Sequence, residues 1–175
     1  MPARRSAPTL SSPLRQRGAT ALEFGLVFPA LFVLFYGTLT FALIFTARMG
    51  LQHAAEEGAR SAVTFRIEGS TPGITQLTLR RDAARATALQ QASWISRFAA
   101  PLQVVVETRI CAANSDCSVE TTTCGRELAD ACKIFVSVTY PYATRPILPS
   151  AFGLPVPTTL SGEASLLLDG RLIGS

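Results

Sequence analysis

An unbroken apolar run from Phe24 to Ala47 constrains this chain more than any other feature. It holds 24 residues without a charge. A helix rises ~1.5 Å per residue, so such a run spans the ~30 Å hydrocarbon core of a bilayer with some tilt. A cleavable secretory signal has an apolar region of only ~7–15 residues followed by small residues. This run is longer and is followed by Arg48-Met49-Gly50, so it reads as a retained anchor. Pro29 lies inside it, removes one backbone donor and predicts a kink near residues 25–29.

The charge distribution gives the anchor a direction. Arg4, Arg5, Arg15 and Arg17 precede Gly18, and no acidic residue does. Without those four, the 16 Lys+Arg of the chain fall to 12, equal to the 12 Asp+Glu. The whole formal charge of +4 therefore lies in the leader. The positive-inside rule then predicts a cytoplasmic N-terminus, with residues from about 48 onward outside. The leader carries Pro2, Pro8 and Pro13 among several serines and reads as disordered over 1–18. The balanced remainder has no basic block, which argues against nucleic-acid binding.

Glu23 stands at the threshold of the apolar run. One reading is an interfacial carboxylate near a helix N-terminus, favoured by the helix dipole. A second begins at Gly18. If the chain is cut there, the new α-amine of Ala19 lies four residues before Glu23, on the same helix face. Amine and carboxylate can then neutralise each other, within one chain or between neighbours. Ala30 and Gly37 follow on that face at seven-residue steps and leave room for another helix.

A short basic leader ending in Gly, then a hydrophobic helix with Glu at the fifth mature position, resembles the type IV prepilin signature. The form Arg17-Gly18-Ala19-Thr20-Ala21-Leu22-Glu23-Phe24, with Pro29 following, resembles the TadE-like proteins of tight-adherence (Tad) pilus systems. The family's aromatic after the glutamate is often tyrosine, so Phe24 is a mild departure. The resemblance covers about residues 16 to 60. It implies a minor pseudopilin, cut between Gly18 and Ala19 by a prepilin peptidase, with Glu23 and Phe24 as an assembly contact. The implied partners are other pilin or pseudopilin subunits, Tad assembly-platform proteins and membrane lipid. The implied location is the bacterial inner membrane, with passage into a pilus as a further step.

Beyond Arg48 the helical pattern continues to about residue 68. Gly50, Ala54, Gly58 and Ala62 recur every four residues as a stripe of small side chains that permits close backbone approach. The stripe serves either the chain's own outer domain or another subunit. His53 is the only histidine and reads as a solvated side chain.

Residues 69–175 read as a small α+β domain. Ser70-Thr71-Pro72-Gly73 predicts a turn. A second helix over Leu79–Phe98 follows, with Ala84, Ala88, Leu89, Ala92, Ile95 and Phe98 as its apolar stripe and Trp94 at the edge. Alternation then predicts an antiparallel sheet of about three strands. The inward sets are Leu102, Val104, Val106 and Ile110, then Ile134, Val136, Val138 and Tyr140, then Leu160, Ala164, Leu166 and Leu168. The proline-rich stretch 141–157 links the last two as an extended loop.

Cys111, Cys117, Cys124 and Cys132 all fall between the first and second strands. An oxidising compartment and an even count favour two disulfides, and three connectivities are open. The facing strand ends favour a nested pair, Cys111–Cys132 with Cys117–Cys124.

No catalytic or cofactor motif is legible. A nucleophile–histidine arrangement has only His53 to draw on, and the Gly-x4-Gly-Lys phosphate loop is absent. The sequence thus points to a structural, non-enzymatic protein without cofactor or metal. Two alternatives stand beside the pseudopilin reading. One is an uncleaved anchored scaffold of a secretion or envelope complex. The other is an anchored ligand-binding or enzymatic domain with its pocket under residues 141–157.

Overall fold

The structure is a computed structural model that describes residues 14–64, 73–97, 104–121, 124–125, 127, 130–149, 151 and 153–168. Its elements are α1 (Leu14–Val63), α2 (Gly73–Ala92), a 3-10 turn (Ser93–Arg97), β1 (Val105–Ala112), β2 (Cys132–Tyr140) and β3 (Leu160–Leu168). The fold is α+β. The chain divides into two compact units, Met1–Thr40 and Phe41–Ser175.

α1 carries the apolar run, most of which falls in the first unit. The stretch Thr20–Val63 contains an 18-residue window of mean hydropathy 2.1, of which 11% is buried. A core helix of that hydropathy would be mostly covered, so this segment has the length, composition and exposure of a membrane anchor. Leu22, Leu26 and Leu34 are each more than 70% exposed. Threonines fit in this helix because their hydroxyls donate to the carbonyl four residues back, as Thr38 does to Leu34 and Thr40 to Tyr36, both at 2.8 Å. Pro29 lies within α1 and does not end it. α1 begins at Leu14, and leader residues 1–13 lie outside the described residues.

In the second unit, three antiparallel strands lie in the order β1-β2-β3. The central strand is covered on its inner face: Ile134, Val136, Val138 and Tyr140 are all fully buried. Register places Ile110 opposite Ile134 and Val136 opposite Ala164. Against this face lie the outer turns of α1, through Leu51, Ala55 and Ala59, and α2, through Leu77, Ala84, Ala88 and Ala92, in one hydrophobic core. The helices contribute mostly alanines to this core, so their backbones approach closely and little side-chain entropy is lost.

Two details differ from the sequence pattern. The second helix begins at Gly73, six residues before Leu79, because its apolar stripe starts at Leu77. Leu89 and Leu166, expected to point inward, are 41% and 37% exposed: Leu89 lies beside the Ala84–Ala88–Ala92 stripe, and Leu166 lies on the edge strand of the sheet. Phe98 and Leu102 lie outside the described residues.

The proline-rich connection has no regular structure among its described residues. Its ends are tied by a hydrogen bond from Ala143 N–H to Thr158 C=O at 2.9 Å. Tyr142 is fully buried and meets Tyr140 edge-on, with centroids 6.3 Å apart.

Candidate assembly interface

The residues singled out by the leader motif lie on the first turns of α1. Gly18 is exposed and has nothing within 4 Å of where a Cβ would stand. Ala19 continues the helix, and Glu23 is exposed one turn further. The helix therefore holds positions 19 and 23 on one side, as an amine–carboxylate pairing requires. Ala30 is exposed and Gly37 is partly covered.

Phe24 begins a feature that the motif reasoning missed. Phe24, Phe28, Phe32 and Tyr36 recur at four-residue spacing, and their rings stack in a ladder. Successive centroids are 5.3, 6.2 and 6.3 Å apart. The spacing was visible in the sequence, since i,i+4 side chains on a helix are neighbours. Phe24 is thus the first rung of an aromatic edge beside Glu23 and is 66% exposed.

The outer stripe is turned inward. Ala54 and Ala62 are fully buried, Gly58 is buried and Gly50 is half-buried. A Cβ on Gly58 would stand 2.9 Å from the Ala84 carbonyl oxygen and from the Ala88 methyl, and one on Gly50 would strike the Trp94 ring. These four residues let α1 pack on α2 and on the 3-10 turn of the same chain. A second close approach lies on the neighbouring flank. A Cβ on Gly162 of β3 would strike the α1 backbone at Leu51 and Gln52.

Gln52 completes that contact. Its Nε2 donates to the Glu163 carbonyl at 2.8 Å, and its Oε1 accepts from the Glu163 N–H at 3.1 Å. One side-chain amide thus occupies both ladder groups of an edge residue, as a neighbouring strand would. Nothing in the periodicity of α1 marked Gln52, because the signal is a tertiary juxtaposition across 111 residues.

The cysteines form Cys111–Cys117 and Cys124–Cys132, with Cα separations of 5.2 and 5.4 Å, in place of the nested pairing. Register supplies the reason. Cys132 stands opposite Ala112, while Cys111 stands opposite Lys133. Opposed residues share a sheet face and successive residues alternate, so Cys111 and Cys132 point to opposite faces. Each reaches the nearest cysteine of the loop instead. Cys117 meets its partner with φ of 61°, a left-handed conformation uncommon for a residue with a side chain.

His53 is exposed on α1. Among the described residues, no group of three or more His, Cys, Asp and Glu side chains is placed to hold a metal ion.

Residues 18–60 match the family model for TadE-like proteins. The match starts at Gly18, takes in Glu23 and the apolar run, and ends at Arg60 within the buried outer turns of α1. It covers about a quarter of the chain. No curated protein and no solved structure matches the chain. The TadE-like match and the Gly18–Phe24 constellation thus fall on the same helix.

Proposed function

We propose that this protein is a membrane-anchored, TadE-like pseudopilin that acts as a structural and assembly component of a Tad-type pilus. The observation that carries the reading is the TadE-like match over residues 18–60, on a helix of membrane length with Glu23 five positions after Gly18. In this reading the leader stays in the cytoplasm, and residues from about 48 onward lie outside. A prepilin peptidase cuts between Gly18 and Ala19. The freed Ala19 amine and Glu23 pair, in one chain or between subunits, and so reduce the cost of holding a carboxylate beside the bilayer. The Ala30 and Gly37 face and the Phe24 edge then receive neighbouring helices from other pilins or from the assembly platform. The outer domain is held by its own packing and two disulfides, which leaves the anchor for lateral contacts.

The experiment is Glu23→Ala in a strain that assembles the pilus. The expected result is loss of assembly at wild-type levels of membrane-inserted protein. Normal piliation by the variant overturns the charge-pairing role. N-terminal sequencing of the membrane protein is expected to begin at Ala19.

A second reading, an uncleaved scaffold of a secretion or envelope complex, has one observation in its favour. α1 runs through Gly18 without a break, and a peptidase must open a helix before it can cut there. Glycine in a helix interior costs roughly 0.5–1 kcal/mol relative to alanine, which makes Gly18 the easiest point to open. Recovery of intact Met1 from cells with an active prepilin peptidase selects the scaffold.

A further inference from the structure

Beside the first outward turns of α1 lies a cavity of about 410 Å3 that the assembly reading does not use. Its apolar wall is Phe45 and Met49, which are 66% and 63% exposed. Phe41, also exposed, stands one turn earlier at the same four-residue spacing. Phe41 and Phe45 belong to the apolar run, and Met49 carries the stripe past Arg48. The polar wall is ordered along the helix. Arg48 comes first, Gln52 and His53 one turn later, and Glu56 one turn beyond, with Ser161 of β3 closing the side. Gln52 Nε2 is shared between the Glu163 carbonyl and Glu56 Oε1, the latter at 3.1 Å, so the carboxylate is turned along the cavity wall.

The order of charges selects the occupant. Moving away from the anchor, the cavity offers an apolar surface, then a guanidinium, then neutral hydrogen-bonding groups, then a carboxylate. A phospholipid with a primary ammonium headgroup presents acyl chains, then a phosphate, then an ammonium, in that sequence. A glycerol headgroup places the same phosphate on Arg48 but ends in neutral hydroxyls, so it brings no cation to the Glu56 carboxylate. A choline headgroup has no N–H to donate. We infer that this cavity holds one phospholipid of the ethanolamine type. Its phosphate lies against Arg48, its ammonium against Glu56, and its acyl chains along Phe41, Phe45 and Met49. Arg48 acts as a bidentate donor suited to phosphate, and Gln52 carries the backbone contact that fixes the cavity's width. His53 faces the same space from the exposed side and adds a donor in either protonation state.

The inference rests on the membrane-anchor reading, and the test separates the two. Full-length protein is reconstituted in nanodiscs containing equal parts of phosphatidylethanolamine, phosphatidylglycerol and phosphatidylcholine. The lipids retained on release are counted by native mass spectrometry. Wild type is expected to keep phosphatidylethanolamine over both others. Arg48→Gln is expected to lower its retention about fivefold, the size of one basic residue's attraction to lipid phosphate. Arg48→Lys is expected to restore most of it. Glu56→Gln is expected to remove the preference over phosphatidylglycerol while total retention persists. Arg85→Gln, an exposed arginine on α2 outside the cavity, is expected to behave as wild type. Because His53 is the only histidine, its ring resonances report occupancy: they should shift with the lipid and not with inorganic phosphate alone. Equal retention of the three lipids by wild type overturns the inference and leaves the anchor standing. So does an unchanged preference in Glu56→Gln, or an equal His53 response to inorganic phosphate. Failure of the chain to enter the bilayer at all overturns the anchor reading and the site with it.

Discussion

Two residues carry the junction between α1 and the edge of the sheet. Gly162 is required by space alone, because a Cβ there meets backbone, which cannot swing aside as a side chain can. Gly162→Ala is expected to destabilise the outer domain by about 2–3 kcal/mol, at the upper end of overpacking effects. Gln52→Ala removes two hydrogen bonds to Glu163 and is expected to cost about 1–2 kcal/mol. Chemical denaturation of the detergent-solubilised protein measures both. Measured on the uncleaved chain, Gly18→Ala, with open space around it, is the control and should leave stability unchanged or slightly raised. Tyr140 sets a limit at high pH. Burial raises its pKa above the ordinary value of 10.0, although Arg145 acts in the opposite direction. Its hydroxyl donates to the Arg145 carbonyl, so the neutral form is the one the fold accepts. The folded pKa lies above the unfolded one. The contribution is therefore fully present below about pH 10 and is lost as pH rises through the folded value. Stability measured from pH 8 to 12 should fall at the alkaline end, and Tyr140→Phe should flatten that fall.

At the scale of elements, the disulfide loop and the outer helix teach different lessons. Peptide mapping without reduction should recover Cys111–Cys117 and Cys124–Cys132. Both close short loops, with separations of 6 and 8 residues. Loop-closure entropy assigns each about 2–3 kcal/mol, so the Cys111→Ser/Cys117→Ser and Cys124→Ser/Cys132→Ser double variants should lose similar stability. Recovery of a Cys111–Cys132 peptide would contradict the register of β1 on β2. The four cysteines and their even count, which favours two disulfides, were legible in the sequence. Their pairing was not, because it depends on which face each strand-end side chain takes, and a one-residue offset reverses that face. The small-residue stripe of α1 was legible as a stripe. Its destination, Ala84, Ala88 and Trp94 of the same chain, required the tertiary contact. The aromatic ladder from Phe24 to Tyr36 was available by spacing and was obscured by the uniform apolarity around it.

For the molecule as a whole, the first prediction concerns topology. A reporter that is active only outside the cytoplasm, fused after Ser175, should be active, and the same reporter fused before the apolar run should not. Replacing Arg4, Arg5, Arg15 and Arg17 by glutamine removes the charge asymmetry and should lower correct insertion. Wild-type orientation in that variant would show that another signal sets the direction. The two compact units divide the work. The apolar residues from Leu22 to Leu39 are mostly exposed, as a bilayer or a neighbouring helix demands, while the unit from Phe41 onward builds its own core.

The sequence by itself determined the long apolar helix, the α+β class and the inward set of the central strand. All of these follow from local periodicity, run length and charge placement, which a linear string records directly. The TadE-like resemblance belongs to the same category, since Gly18, Glu23 and Phe24 lie within seven residues of one another. The tertiary structure alone decided the disulfide partners, the Gln52 pairing with Glu163, the need for glycine at 162 and the cavity between α1 and β3. Each joins groups distant in sequence, or adjacent groups on opposite faces, and only the packed backbone sets which of them meet.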